Sequence, residues 1–424
     1  MNVSSLTIAF TLAWRNLWRN YRRTLIMLLA IGLGVWAMVF MTAMMRGMVD
    51  GMLKDGIRAL PGHVQIHHPN YLDDPSVANS IAEPQGTLLD ALNHPQVDAW
   101  AMRVKVPAVI SSERETRGVM LLGVDAAAEL NLSFDISHIT QGQFLPSLTE
   151  EELAVDVQAQ KAAKGIVIGV KLAQKLETRL GKRIVVMTQD IDNTIVDRGF
   201  RIVGLYQSDI PGFEEMYVYS DRRLIQSMVG LKGQVSEIAI NGDGYRDNQA
   251  LLSHIANASP ADMKVESWRQ VDAYLSAMLE MMDGFVLVWI VVIFLALSFG
   301  LMNTLIMAVF ERVREIGLMQ ALGMRSSGVM RMILIESLLL LLLGLAAGNI
   351  CSLLSIAAIQ DGIDVTAVAE GMAMFGAKAV LYPVLQYSDM LLANVVVIVL
   401  GLLTSLYPAW RAAHYDPIVA LNKH

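Results

Sequence analysis

Three histidines cluster in HVQIHH, as His63, His67 and His68, and imidazoles on one face of a strand can bind zinc. A zinc site takes three or four converging ligands, however, and no partner motif accompanies this group, so these read as surface histidines. Asp190, Asp192, Asn193 and Asp197 have the composition of a calcium loop. They lack the D-x-[DN]-x-[DN]-G spacing and its closing glutamate, and read instead as the loop of a hairpin. Met38, Met41, Met44, Met45, Met48 and Met52 recur mostly on one helical face, where thioethers could take copper. With no Cys or nearby His to complete a set, apolar packing is the better account. The single cysteine, Cys351, lies in an apolar stretch, so no intrachain disulfide can form. No G-x-S-x-G, H-E-x-x-H or paired-carboxylate arrangement occurs, and no G-x-x-x-x-G-K-[ST] loop is present to hold a nucleotide phosphate. The chain reads as a non-enzyme that binds no metal and no cofactor of its own.

Hydrophobic length is what the sequence does encode. Of its 424 residues 54% are hydrophobic, too many for a wholly soluble protein. Apolar windows fall at Leu25–Met45, Gly284–Phe310, Met332–Ile359 and Met390–Tyr407. The 27 charge-free residues of Gly284–Phe310 would extend ~40 Å as a helix, against ~30 Å of bilayer hydrocarbon. The first run is too long for a cleavable signal and reads as an anchor. Arginines and lysines concentrate before the first span, between spans two and three and after span four, which predicts two cytoplasmic termini. The remaining exterior is net acidic, which argues against nucleic acid as a ligand. The expected fold is membrane α-helical, four transmembrane helices, with a large mixed α+β periplasmic domain inserted between helices 1 and 2.

In chain order the expected segments are an elbow (1–23), span one (24–45), the inserted domain (46–282), span two (283–310), a charged helix and loop (311–331), span three (332–359), an outer loop (360–389), span four (390–407) and a tail (408–424). Inside the insertion, strand alternation or β-branched density predicts strands at 63–68, 103–110, 117–124, 182–190, 200–206, 215–220 and 236–240. Helices are expected near Thr87–Leu92, Gly169–Arg179, Asp221–Met228 and Asn248–Ala256. Another is expected from Ser267 onward, continuous with span two over about 40 residues, ~60 Å.

Residues Ser4–Arg23 interleave Trp14, Leu17, Trp18 and Tyr21 with Arg15, Arg19, Arg22 and Arg23, the pattern of a helix lying among lipid headgroups. Span two runs without a break into Glu311–Gly323. That stretch is too polar to stay in lipid and apolar enough to dock on protein. Small residues predict helix contacts at Ala30 and Gly34 and at Gly344 and Gly348. Glu336, ~7.5 Å along the helix axis from Arg331, reads as an acid paired with a basic residue near the inner interface rather than a proton relay. Met278, Met281 and Met282, at the start of span two, match the Met-rich end of span one (Met41, Met44, Met45, Met48). Flexible thioethers on two helices suit a cavity for variable acyl chains or peptides.

The strings NTLIMAVFERVREIGLMQALGMR (303–325), WRNLWRNYRRT (14–24), YPAWRAAHYDPIVAL (407–421) and GIVIGVKLAQKLETRLGKRIVV (165–186) resemble the FtsX-like, or MacB-type, ABC transporter permeases. GHVQIHHPNY (62–71) and FRIVGLYQSDIPGFEEMYVY (200–219) resemble the LolC/LolE branch. The resemblance implies a dimer of permeases, identical or homologous, in a bacterial inner membrane, on two copies of a cytoplasmic ATPase that holds the ATP and magnesium. It implies mechanotransmission to a lipoprotein or other hydrophobic cargo handled at the periplasmic face. Peptide or drug efflux, and FtsX-like activation of a cell-wall hydrolase without transport, are the alternatives. By the same resemblance Glu311–Gly323 is the coupling helix. Ile316, Met319 and Leu322 would form a ridge for an ATPase cleft, with Arg312, Arg314 and Glu315 setting orientation, and Gly317 and Gly323 permitting close approach and ending the helix.

Overall fold

A computed structural model describes residues 11–414 apart from 12, 16, 20, 60, 134–137, 149–160, 209, 211, 312 and 365–379. The chain separates into a helical unit, made of residues up to Asp50, Glu280–Val365 and Val380 onward, and an inserted α/β unit, Gly51–Leu279.

The first long helix, α1 (Tyr21–Ala59), spans 39 residues. It is followed by β1 (Val64–His67), β2 (Ile81–Ala82), α2 (Thr87–Leu92), β3 (Val97–Ser111), β4 (Thr116–Val124), α3 (Ala126–Leu132), β5 (Ile139–Gly142), β6 (Gly165–Gly169), α4 (Val170–Lys175), β7 (Arg183–Gln189) and β8 (Ile195–Tyr206). Then come α5 (Phe213–Met216), β9 (Tyr217–Asp221), α6 (Arg222–Val229), β10 (Gln234–Val235), β11 (Glu237–Gly242), α7 (Gln249–Ala258), β12 (Lys264–Ser267) and α8 (Trp268–Val271). Strands pair in the order β12-β1-β11-β3-β4-β9-β6-β8-β5, with β7 beside β8 in a hairpin. Most neighbours are antiparallel, while β4 with β9 and β6 with β8 are parallel.

Alternation on β3 puts Val104, Val106, Ala108 and Ile110 into the core of this unit, where they join Leu121, Ile166, Ile168, Val218 and Ile225. Burying each such valine, leucine or isoleucine side chain is worth about 1.5–3 kcal/mol. Helix α6 shows how local sequence sets its ends. The Asp221 side chain accepts from the Leu224 amide at its start, and Gly230, at φ 79°, closes it in the left-handed conformation that glycine adopts without a Cβ clash. Of the acidic loop expected at Asp190, Asp192, Asn193 and Asp197, the first three form the turn of the β7–β8 hairpin, while Asp197 lies on β8 opposite Met187. Asp190 Oδ1 accepts from the Asp192 and Thr194 amides at 3.0 and 2.8 Å.

Two expectations for this unit are corrected, and one strand was not anticipated. First, His67 is a core residue, not a surface one. Its Nε2 lies 3.1 Å from Glu266 on neighbouring β12, and its Nδ1 2.9 Å from the His68 carbonyl. Second, Ser267 does not open the long helix. It ends β12 and caps the short α8 through a capping box with Gln270. Asp272 then breaks the helix and restarts it, accepting from the Tyr274 and Leu275 amides, both at 3.0 Å. The unanticipated strand is β6, a fully buried and continuously apolar run, where a short run without alternation gives periodicity nothing to read.

The core also holds a charge. Arg103 is fully buried, donating to both carboxylate oxygens of Glu129 at 3.0 and 2.6 Å, with Glu237 at 3.6 Å. Burial opposes its charge, but the two glutamates outweigh burial and raise the guanidinium above its usual range.

The helical unit contains the start of α1, most of α9 (Ala273–Glu311), α10 (Val313–Ala321), α11 (Ser326–Ala358) and α12 (Tyr387–Ala413), plus the small pair β13 (Ile363–Asp364) and β14 (Val380–Leu381). Four helices among the described residues are long and apolar enough to cross a membrane: Thr24–Arg58, Ala273–Met307, Ser326–Ala358 and Tyr387–Ala413. Helix α12 continues past Pro408, where the last span was expected to end, as far as Ala413.

Gly344 and Gly348 do lie at a close helix contact. A Cβ on Gly348 would come within 2.7 Å of the Gly32 carbonyl oxygen, and one on Gly344 within 2.5 Å of Ile31. Their partner stripe on α1 is Ile31, Gly32 and Val35. Ala30, from the expected pair with Gly34, is exposed instead. Trp36 Nε1 donates to Ser355 at 2.9 Å, and Asn349 donates to Asn394 at 2.9 Å, tying α11 to α1 and to α12.

Candidate functional site

Helix α10 carries the charged sequence that follows span two. Its end is a Schellman motif: the Gly323 amide donates to the Gln320 carbonyl and the Met324 amide to the Met319 carbonyl, both at 3.0 Å, with Gly323 at φ 98°. A helix with so defined a stop presents fixed faces. The inward face is Val313, Ile316 and Gly317, packed with Val309, Val329, Ile333, Ala409, Ala412 and Ala413 from α9, α11 and α12. Met319 covers that cluster, and Gln320 Nε2 donates to the Ala413 carbonyl at 3.1 Å.

This packing corrects the expected docking ridge of Ile316, Met319 and Leu322. Ile316 is 3% exposed and therefore occupied by its own bundle, whereas Leu318 is 52% and Leu322 81% exposed. The free ridge is Leu318 and Leu322, one turn apart, flanked by exposed Arg314 and Arg325. The Glu311 side chain and Arg312 lie outside the described residues.

Glu315 points to the elbow. Arg19 Nη2 donates to both of its oxygens, at 2.7 and 2.6 Å, between half-exposed side chains. Thr24 Oγ1 donates to the Leu17 carbonyl at 2.6 Å. In a straight helix those residues stand ~10.5 Å apart along the axis, so the chain turns between them. Ala13 and Leu17 are buried while Trp14, Trp18 and Tyr21 are exposed.

A second charged cluster, missed from sequence, centres on Arg46 of α1. Its guanidinium is 5% exposed and donates to both carboxylate oxygens of Asp389, at 2.7 and 3.0 Å, and also to Asp283. One side chain thus joins α1, α9 and α12. Adjacent Gly47 leaves no room for a side chain, since a Cβ there would sit 1.8 Å from the Tyr382 carbonyl oxygen. The sequence signal was present as an arginine and two aspartates at the ends of three apolar runs.

The methionines do not share one exposure. Met38 and Met282 are buried, Met44, Met45, Met48, Met52 and Met278 half-buried, and Met41 and Met281 exposed. Glu336 is buried on the face of α11 that also buries Met332, Ile333, Ser337 and Leu340.

Residues 24–257 match the MacB-like periplasmic core domain family, and residues 287–417 match the FtsX-like permease C-terminal family. The macrolide export ATP-binding/permease protein MacB of Syntrophobacter fumaroxidans is 28% identical over 47% of this chain, which spans only 24% of that protein's length. The lipoprotein-releasing system transmembrane protein LolC of Xylella fastidiosa (strain Temecula1) is 21% identical over 78% of this chain and 79% of its own. Among solved structures, the periplasmic region of MacB from Actinobacillus actinomycetemcomitans superposes on 55% of this chain and 98% of its own, with a TM-score of 0.34 and 11% identity. With both family matches on one four-helix chain, this protein is a multi-pass membrane protein of the FtsX-like, MacB-type family of ABC transporter permeases.

Proposed function

We propose that the protein is the membrane subunit of a mechanotransmission ABC transporter of a bacterial inner membrane. In this reading a separate ATPase supplies ATP hydrolysis, and the protein moves lipoproteins or other hydrophobic cargo at the face occupied by the inserted domain. The observation that carries the proposal is the Leu318–Leu322 ridge. It is an apolar strip on a helix whose opposite face is locked into the bundle, and a force applied to it reaches α9, α11 and α12 together. Arg314 and Arg325 beside it provide charge that fixes the orientation of a partner.

A lipoprotein-class cargo draws support from the extent of the LolC likeness, which runs along most of both chains. The match to the MacB-like core domain over residues 24–257 supports efflux of a smaller amphiphile as a second reading. Half-buried Met48 and exposed Met281 are the places to distinguish them. Photocrosslinkers there should capture acylated protein under the first reading and only small molecules under the second.

Docking is tested by Leu322→Asp. The variant should insert and melt as the parent does, yet fail to co-purify with the ATPase that the parent brings down from native membranes. Undiminished recovery of the ATPase would refute the docking role.

A further inference from the structure

The elbow carries four arginines, of which Arg15, Arg19 and Arg22 have described side chains, and the surroundings of these three differ. Arg19 is neutralised by Glu315. Exposed Arg15 and Arg22 have no carboxylate partner among the described residues, Arg22 meeting only the Tyr21 ring, 5.9 Å from its centroid, and the Tyr21 hydroxyl. No Asp or Glu occurs anywhere in the stretch from Thr11 to Thr24. Beside the arginines runs an exposed aromatic ridge. Trp14 and Trp18 pack edge to face with centroids 6.0 Å apart, and Tyr21 follows. The opposite face, Ala13 and Leu17, is closed against protein.

We infer that this surface binds acidic phospholipid in preference to zwitterionic lipid. Indole and phenol rings with one apolar and one polar edge settle at the boundary of acyl chain and headgroup. That placement holds the arginines at phosphate level. A zwitterionic headgroup brings its own cation to balance its phosphate, whereas an acidic one leaves a net negative charge for Arg15 and Arg22 to meet. The Arg19–Glu315 ion pair connects the same segment to α10, so the lipid-bearing surface and the candidate docking helix are linked by side chains.

Full-length protein in nanodiscs, containing equal mole fractions of brominated phosphatidylglycerol or brominated phosphatidylcholine, tests this through tryptophan quenching. Subtracting the signal of W14F/W18F isolates the two elbow indoles. Enrichment of acidic lipid by about fivefold per unpaired arginine is expected at the elbow, so the brominated acidic lipid should quench Trp14 and Trp18 more strongly. R15Q/R22Q should abolish the difference and R15K/R22K should keep it. Equal quenching by the two lipids, a preference that survives in R15Q/R22Q, or one that is lost in R15K/R22K would overturn the inference.

Discussion

The two ends of the helical unit use arginine differently. At one end Arg46 is enclosed by α1, α9 and α12 and spends its donors on Asp389 and Asp283. At the other, Arg19 holds Glu315 with equally good geometry, but both side chains stay half in solvent. Distance alone would rate the two alike. Burial separates them: an enclosed guanidinium cannot lose a partner without leaving a charge stranded, whereas an exposed one exchanges its partner for water at little cost. The Arg46 end is therefore a fixed joint. The Arg19 end is a contact that can be made and released, which suits the end carrying the exposed Leu318–Leu322 ridge.

Four substitutions sharpen this contrast, in descending order of effect. Arg46→Ala removes the cation that pairs with Asp389 and should cost about 3–5 kcal/mol, read as a large fall in melting temperature in detergent; a loss no greater than that of an exposed pair would erase the distinction between the ends. Gly348→Val drives a side chain against the Gly32 carbonyl and should cost about 1–3 kcal/mol. A melting point equal to the parent's would show that α1 and α11 are not locked there. Glu315→Gln should cost only about 0.2–1 kcal/mol, with Leu322→Asp nearly silent in the same assay. A loss from Glu315→Gln as large as that from Arg46→Ala would make both ends fixed joints.

Much of the inserted unit was legible because strands and helices of this kind are written locally. Val104, Val106, Ala108 and Ile110 alternate, and Asp221 with Gly230 brackets α6, so their elements follow from neighbours in sequence. His67 was misread because its burial comes from Glu266, on a strand that meets β1 only in the folded sheet. Ile316 was misread for a similar reason. Spacing showed that α10 has an apolar stripe, but which part of the stripe stays free depends on where Ala409, Ala412 and Val329 pack.

By itself the sequence determined that four segments cross a membrane, that a large α+β domain interrupts them after the first, and that a charged helix follows the second. Hydrophobic length and periodicity are properties of contiguous residues and survive without the rest of the fold. Only the tertiary structure decided that Gly32 receives Gly348, that Leu318 and Leu322 rather than Ile316 face outward, and that Arg46 meets Asp283 and Asp389, 237 and 343 residues away. Those choices depend on burial and partner geometry, which exist only once distant segments have packed together.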